Sequence, residues 1–258
     1  METDPRVMEK QAYELFGQDN FNEAYRLFFS TAHLYKNQEN HQQASLCFAS
    51  AASCWGLKSG EKAFYNAAIA YEEAARAAAR AHDPEYASLL YRYAAVNYER
   101  DMEFMNFSDC VYLSKECYRQ FLTMTFLHPE RIRHIIESKE KTGFLESCRR
   151  ARTWLILTFS SMIWGHGERP ARTLFAVAAV ILLGAIVYTQ GTVVKNGIPL
   201  KPHFLDALYF SVSTFTTVGF GDIIALGWAK GMVMFEALCG IFIMPLFVVG
   251  LSRKYLRV

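Results

Sequence analysis

Before about Arg172, apolar residues alternate with charged and polar ones at helical spacing; after it come two stretches almost free of charge, Thr173 to Val194 and Gly231 to Ser252. Each supplies the ~20 residues that a helix rising ~1.5 Å per residue needs to cross a ~30 Å hydrocarbon core. The pattern therefore predicts two membrane-spanning helices, at about 173–194 and 231–252; two buried helices of a soluble core are the competing reading. From Pro5 to about Lys141, Ala, Tyr, Leu, Glu and Gln recur at helical spacing, and proline stands only at Pro5, Pro84 and Pro129. No strand-like alternation is sustained there, so this half reads as all helical. A shorter uncharged run, Thr153 to Gly165, cannot reach across a bilayer. Trp154 and Trp164 near its ends, with Arg149, Arg150 and Arg152 just ahead, suit a helix lying at the inner membrane surface. A helix docked against the soluble half is an equal alternative.

The helical half repeats itself. Ala44 to Ala52 (ASLCFASAA) matches Ala87 to Ala95 (ASLLYRYAA), Ala67 to Ala75 (AAIAYEEAA) lies between them, and weaker copies start at Ala24 and Cys110. The starting positions 24, 44, 67, 87 and 110 step by 20, 23, 20 and 23, so the repeating unit is a helical hairpin of 43 residues. Paired alanines let neighbouring helices approach, and Phe28, Phe48, Tyr71 and Tyr91 fill the space beside them. An α-solenoid buries a continuous core in this way from units that do not fold alone. The pattern resembles tetratricopeptide-type repeats, with a longer unit like the hairpins of the SNAP adaptor family. Gly56–Gly60, His82–Pro84 and His128–Pro129 are the expected turns. Arrays of this type bind peptides or partner helices, so a cytoplasmic peptide or protein ligand is an expected partner. The Tyr and Phe stripes read as solenoid core before binding groove.

A hydrophobic content of 52% is high for a purely soluble chain, and the net charge of +2 is too small to imply nucleic acid. The basic residues instead flank the apolar stretches: Arg149, Arg150, Arg152, Arg169 and Arg172 before the first, Arg253, Lys254 and Arg257 after the second, against Lys195, Lys201 and Lys230 between. By the positive-inside rule, both termini face the cytoplasm of a multi-pass protein of the cell membrane. The opening METDPRVMEK holds no apolar run of a secretory signal. Cys47, Cys54, Cys110, Cys117, Cys148 and Cys239 form no CxxC pair or zinc-like spacing and read as small core residues, with a redox or metal role as the minor alternative. The seven histidines form no HExxH-type pair and read as solvated or capping residues; no GxGxxG or P-loop occurs, and nothing points to an enzyme or to a cofactor.

Between the apolar stretches, a helix too short to span, beginning at Phe204, leads directly into Thr217-Val-Gly-Phe-Gly221 and Asp222. With its flanking spans, this 204–222 loop resembles the pore-loop potassium-channel superfamily, whose filter reads TVGYG or TVGFG, preceded by Thr and followed by Asp; the resemblance covers roughly Arg169 to Arg253. A potassium ion leaving water needs its hydration shell replaced by oxygens, which a ring of backbone carbonyls supplies. Gly219 and Gly221 allow the backbone conformations this requires. The resemblance implies K⁺ coordination by the carbonyls of Thr217, Val218, Gly219 and Phe220, with Gly221 completing the filter, and four copies closing the ring. Thr216, Ser213, Asp222 and Glu236 are the candidate supports.

Departures from the family pattern sit around the filter. Ser213 stands where many members carry Glu, Tyr209 and Phe210 where they carry a Trp pair, and Phe220 lacks the hydroxyl of the commoner Tyr. Gly240 resembles the family's hinge glycine, and Pro245 removes a helical hydrogen bond, so both are gate candidates, with close helix packing the alternative. Glu236, ionisable within a span, reads either as a structural hydrogen bond behind the filter or as a proton sensor. No ladder of arginines occurs in a span, which argues against intrinsic voltage sensing.

The expected architecture is all-α: a cytoplasmic α-solenoid of helical hairpins over 1–142, an amphipathic linker over 143–170 and a two-span pore domain with pore helix and filter loop over 171–258. The expected function is a homotetrameric, potassium-selective channel whose opening answers to the helical array, the tail after the second span being too short to regulate. A membrane-anchored adaptor whose pore is closed or weakly selective is the runner-up.

Overall fold

The computed structural model describes residues 4–58, 62–127, 144–195 and 197–255. The chain divides into two compact units, Met1–Phe159 and Ser160–Val258. It is all-α apart from three short strands among the described residues.

The first unit holds α1 (Pro5–Gly17), α2 (Phe21–Asn37), α3 (His41–Gly56), α4 (Ala63–Arg80), α5 (Pro84–Arg100) and α6 (Phe104–Leu127), each packed chiefly on the next in the chain. The internal repeat explains that packing. Counted from the repeat starts, residues at the first, fifth, eighth and ninth positions point inward, as with Ala24, Phe28, Thr31 and Ala32, or Ala87, Tyr91, Ala94 and Ala95, all buried. Those positions recur at helical spacing on one face, so a single short motif faces each helix toward its neighbours. The twelfth position adds a polar tie. Tyr35 donates to Glu9 Oε2 at 2.9 Å and Tyr98 to Glu72 Oε2 at 2.8 Å, each to an acid on the preceding helix. Burial first, then the carboxylate, pushes the Tyr35 hydroxyl up to about 12. Burial likewise pushes Cys47 up to about 12 and Cys54 and Cys117 up to about 11, which leaves these thiols protonated and inert, as core residues are. Cys148 is exposed.

Four of the turns share one geometry. Asp19, Glu39, Lys62, His82 and Met102, one before each of α2 to α6, all have φ near +60°. Behind the left-handed residue, the N–H of Asn20, Asn40, Asp83 or Glu103 returns to a carbonyl five residues back. That closes the last turn of the outgoing helix in the manner of a glycine C-cap, although no glycine is used. Asn40 and Asp83 then cap the next helix, accepting from Gln43 N at 3.2 Å and Tyr86 N at 3.0 Å. The expected turn at 82–84 is one of this series. The 56–60 turn is described only as far as Lys58, with Gly56 ending α3, and the expected turn at His128–Pro129 lies outside the described residues.

The helix α7 (Phe144–Trp164) extends well ahead of the uncharged run. Trp154 Nε1 donates to Thr123 Oγ1 of α6 at 2.9 Å, and its ring meets Phe126 edge-on at 6.3 Å. One face of α7 is thus docked on the array, while Leu155, Ile156, Phe159 and Met162 on the other face stay exposed.

In the second unit, a turn at Gly165–Gly167 leads to α8 (Pro170–Gln190), strands β1 (Val193–Lys195) and β2 (Ile198–Leu200), helix α9 (Phe204–Phe215), strand β3 (Ile223–Ala225) and α10 (Ala229–Tyr255). Among the described residues, two helices are long and apolar enough to cross a membrane, Pro170–Gln190 and Ala229–Arg253. The first departs from its expected bounds of 173–194. Pro170 at the first helical position starts it earlier, and Val193–Lys195 leaves it to form the central strand of the antiparallel order β2-β1-β3. An apolar Val-Val pair satisfies either element, so hydropathy alone placed the boundary too late. In the turn, Gly165, His166 and Gly167 have three successive positive φ values, +55°, +59° and +88°. His166 is buried there with Nδ1 at 3.1 Å from Ser160 Oγ, which overturns the solvated alternative of its reading as a solvated or capping residue.

Residues held at positive φ without glycine cost free energy that glycine avoids. Met102 is 77% exposed, so its side chain has little packing to lose. Replacing Met102 by Gly should raise stability by about 0.5–1 kcal/mol, read as an upward shift of the unfolding midpoint of the detergent-solubilised protein. A fall in the midpoint would contradict the capping role.

Candidate functional site

The helix α9 is short, apolar and wedged between α8 and α10. Its last turn does not simply end. The N–H groups of Thr217, Val218 and Gly219 turn back on it, donating to Thr214 O at 3.0 Å and to Ser213 O at 3.1 and 3.2 Å. Thr216 caps from the side, its Oγ1 donating to Val212 O at 2.8 Å. Beyond the helix, positive φ falls on every second residue: Thr217 at +59°, Gly219 at +54° and Gly221 at +79°. Alternating hands of backbone point successive N–H groups the same way, here toward the helix end. Among the described residues, nothing donates to the carbonyls of Thr217, Val218, Gly219 or Phe220. Residues Thr216 to Asp222 are exposed in the single chain. A β-branched Thr at positive φ costs of order 1–3 kcal/mol and persists where surrounding contacts impose it.

Other residues brace this loop. The rings of Tyr209 and Phe220 stack at 6.0 Å with an interplanar angle of 9°, and the Tyr209 hydroxyl lies near the Asp222 carboxylate. Lys195 of β1 pairs with Asp206 in the first turn of α9 at 2.7 Å. Ser213 serves through its backbone carbonyl, already described. Beside the loop lies an open cavity of about 590 Å³, bordered by Phe210, Thr214, Thr217, Ile223 and Met234.

Glu236 of α10 is fully buried. Its Oε2 accepts from the Tyr188 hydroxyl of α8 at 2.6 Å, and its Oε1 is hydrogen-bonded to Ser211 Oγ of α9. Ser211 Oγ also lies 2.8 Å from the Ile181 carbonyl of α8. Three helices therefore meet on one carboxyl group. Gly184 makes room for it: a Cβ there would lie 2.6 Å from Glu236 Oε1 and 2.7 Å from Ser211 Oγ. Sequence reasoning selected Glu236 but missed Tyr188, Ser211 and Gly184; a small-residue position facing a polar one was the only available signal.

Gly240 lies against the end of α9, where a Cβ would run into the Phe215 carbonyl. Close packing thus accounts for this glycine. Pro245 lies within α10, which continues through it, and is exposed in the single chain. Neither Gly240 nor Pro245 touches the 217–221 loop in any hydrogen bond among the described residues.

Residues 175–257 match the family model described as ion channel. No curated protein and no solved structure matches the chain. The matched segment takes in Ala229–Arg253, α9, the 217–221 loop and all but the first five residues of Pro170–Gln190, so the similarity to ion channels falls within the second unit.

Two glycines of α10 separate packing from propensity. A methyl group added at Gly231 would have nothing within 4 Å, whereas one added at Gly240 meets backbone. Gly240→Ala should destabilise the detergent-solubilised protein by about 1–3 kcal/mol, while Gly231→Ala should be neutral or slightly stabilising. Equal melting points for the two variants would show that α9 and α10 do not pack at this distance.

Proposed function

We propose that the chain is one subunit of a homotetrameric, potassium-selective channel, with Thr217–Gly221 as its filter. The observation that carries this reading is the exposed Thr217–Phe220 segment, with positive φ at alternate residues and no donor to its carbonyls among the described residues. Unbonded carbonyl oxygens suit a cation that has shed water, and the C-terminal end of a helix, where α9 meets the loop, adds partial negative charge. One chain supplies a single strand of such oxygens, so a closed ring requires copies related by rotation, and the open cavity beside the loop is a face for the next copy. Thr216, Ser213, Tyr209 and Asp222 brace the filter from behind. Potassium is the transported ion and no cofactor takes part.

The bilayer surrounds 171–258 with both termini in the cytoplasm, and the exposed face of α7 within 143–170 lies at the inner membrane surface. Opening is controlled by the helical array of 1–142 through a cytoplasmic peptide or protein ligand. The turn at 165–167 supports this link, because Gly167 lies beside Arg253 and Gly250 at the end of α10. A shift of α7 is thereby delivered to the inner end of the second span. A ligand that binds the array differently in open and closed tetramers shifts the gate by that difference in affinity.

Purified protein in liposomes should carry a potassium current whose reversal potential follows the potassium gradient rather than the sodium gradient. Its mass in detergent should be that of four chains. Gly219→Ala should abolish the current, because φ is +54° there. Equal sodium and potassium permeability, or a silent pore in an intact tetramer, would favour the scaffold reading.

Deleting residues 1–142 tests the gating role. The truncated tetramer should show an altered open probability and lose its response to cytoplasmic extract. An unchanged open probability and response would reduce the array to an anchor.

A further inference from the structure

The hydrogen bonds around Glu236 do not balance if its side chain is a carboxylate. A serine hydroxyl carries one hydrogen, and a carbonyl oxygen only accepts. Ser211 Oγ stands 2.8 Å from the Ile181 carbonyl and also against Glu236 Oε1. If its single hydrogen goes to Glu236, two lone-pair oxygens face each other at 2.8 Å across the Ser211–Ile181 contact. If the hydrogen goes to Ile181, the hydrogen between Ser211 and Glu236 has to come from the carboxyl group. The Tyr188 hydroxyl, with one hydrogen of its own, occupies Oε2 at 2.6 Å.

Charge balance agrees with the second arrangement. Glu236, Ser211 and Tyr188 are each fully buried, and among the described residues no lysine, arginine or histidine is paired with Glu236. An ionised carboxylate without a cation in a membrane segment is costly, whereas a carboxylic acid with both oxygens bonded is not.

We infer that Glu236 is a neutral carboxylic acid with its proton on Oε1, and that it is a positioning residue for the 217–221 loop. The hydrogen-bond chain then has one direction throughout: Tyr188 donates to Glu236, Glu236 to Ser211, and Ser211 to the Ile181 carbonyl. It starts and ends on α8, and it fastens α9 to α8 and α10 six residues ahead of Thr217. The bare Cα of Gly184 leaves the space that the chain occupies. With Ser213 in place of a longer acid on α9, the carboxyl that braces the helix comes from α10 instead.

The test uses the full-length protein in liposomes with glutamate carbon labelled by isotope, observed by infrared spectroscopy before and after hydrogen–deuterium exchange. Wild type should show the carbonyl stretch of a protonated carboxylic acid, and E236Q should lack it. A wild-type spectrum without that band, or an E236Q spectrum that keeps all of it, overturns the proposal. Chain mass and potassium flux form the second arm, which alone rests on the conducting-pore reading. Gln presents the same pattern, one donor toward Ser211 and one acceptor toward Tyr188, so E236Q should assemble and conduct like wild type. E236D, one methylene shorter, should lose most of the flux. Failure of E236Q to assemble, or an E236Q flux as low as that of E236D, overturns the proposal. If wild type itself does not conduct, the pore reading fails and the infrared band still decides the protonation state.

Discussion

A row of backbone carbonyls that receives no donor among the described residues is the constraint around which the second unit is organised. In water such groups are solvated, and in hydrocarbon each costs several kcal/mol unless something replaces the lost bonds. The carbonyls of Thr217 to Phe220 are left in that condition by the neighbouring backbone: three N–H groups fold back on α9, and positive φ recurs at Thr217, Gly219 and Gly221. Everything close by resists the collapse of that arrangement. The Tyr209 ring lies on Phe220, Lys195 holds the first turn of α9, and the carboxyl of Glu236 ties the helix to both long helices.

The first unit solves a different problem by repetition. Its helices bury small residues at recurrent positions, so their backbones come close, and aromatic rings fill the intervals. Uniform left-handed turns at Asp19, Glu39, His82 and Met102 reverse the chain with little variation, and a stack built from like units follows. The exposed tyrosines, Tyr13 and Tyr93, and the exposed leucines at equivalent repeat positions, Leu46 and Leu89, stand outside that core.

Both units were largely legible in the chain. Periodicity marked the helices, self-similarity marked the hairpin unit, and two long uncharged stretches marked the membrane-capable helices. The pentapeptide at 217–221 stood out because, with its flanking apolar stretches and Asp222, it resembles a pore-loop filter. Less legible were ends and partners. Val193 and Val194 read as the end of a span and belong to a strand, since their side chains suit both. His166 read as solvated or capping and is buried, because only the packed turn between α7 and α8 encloses it. Gly240 read as either hinge or packing, and the Phe215 carbonyl resting on it shows the packing.

The amino-acid sequence by itself determined which segments are helical and which two are apolar along their whole length, because these follow from local properties, spacing and hydropathy. Only the tertiary structure decided how Glu236 is satisfied. Its partners, Tyr188 and Ser211, stand 48 and 25 residues away in the chain, and nothing in their local sequence singles them out. A hydrogen bond between side chains on different helices depends on their rotation and depth, which packing sets, and the missing Cβ of Gly184 acquires meaning only when the carboxyl of α10 arrives beside it.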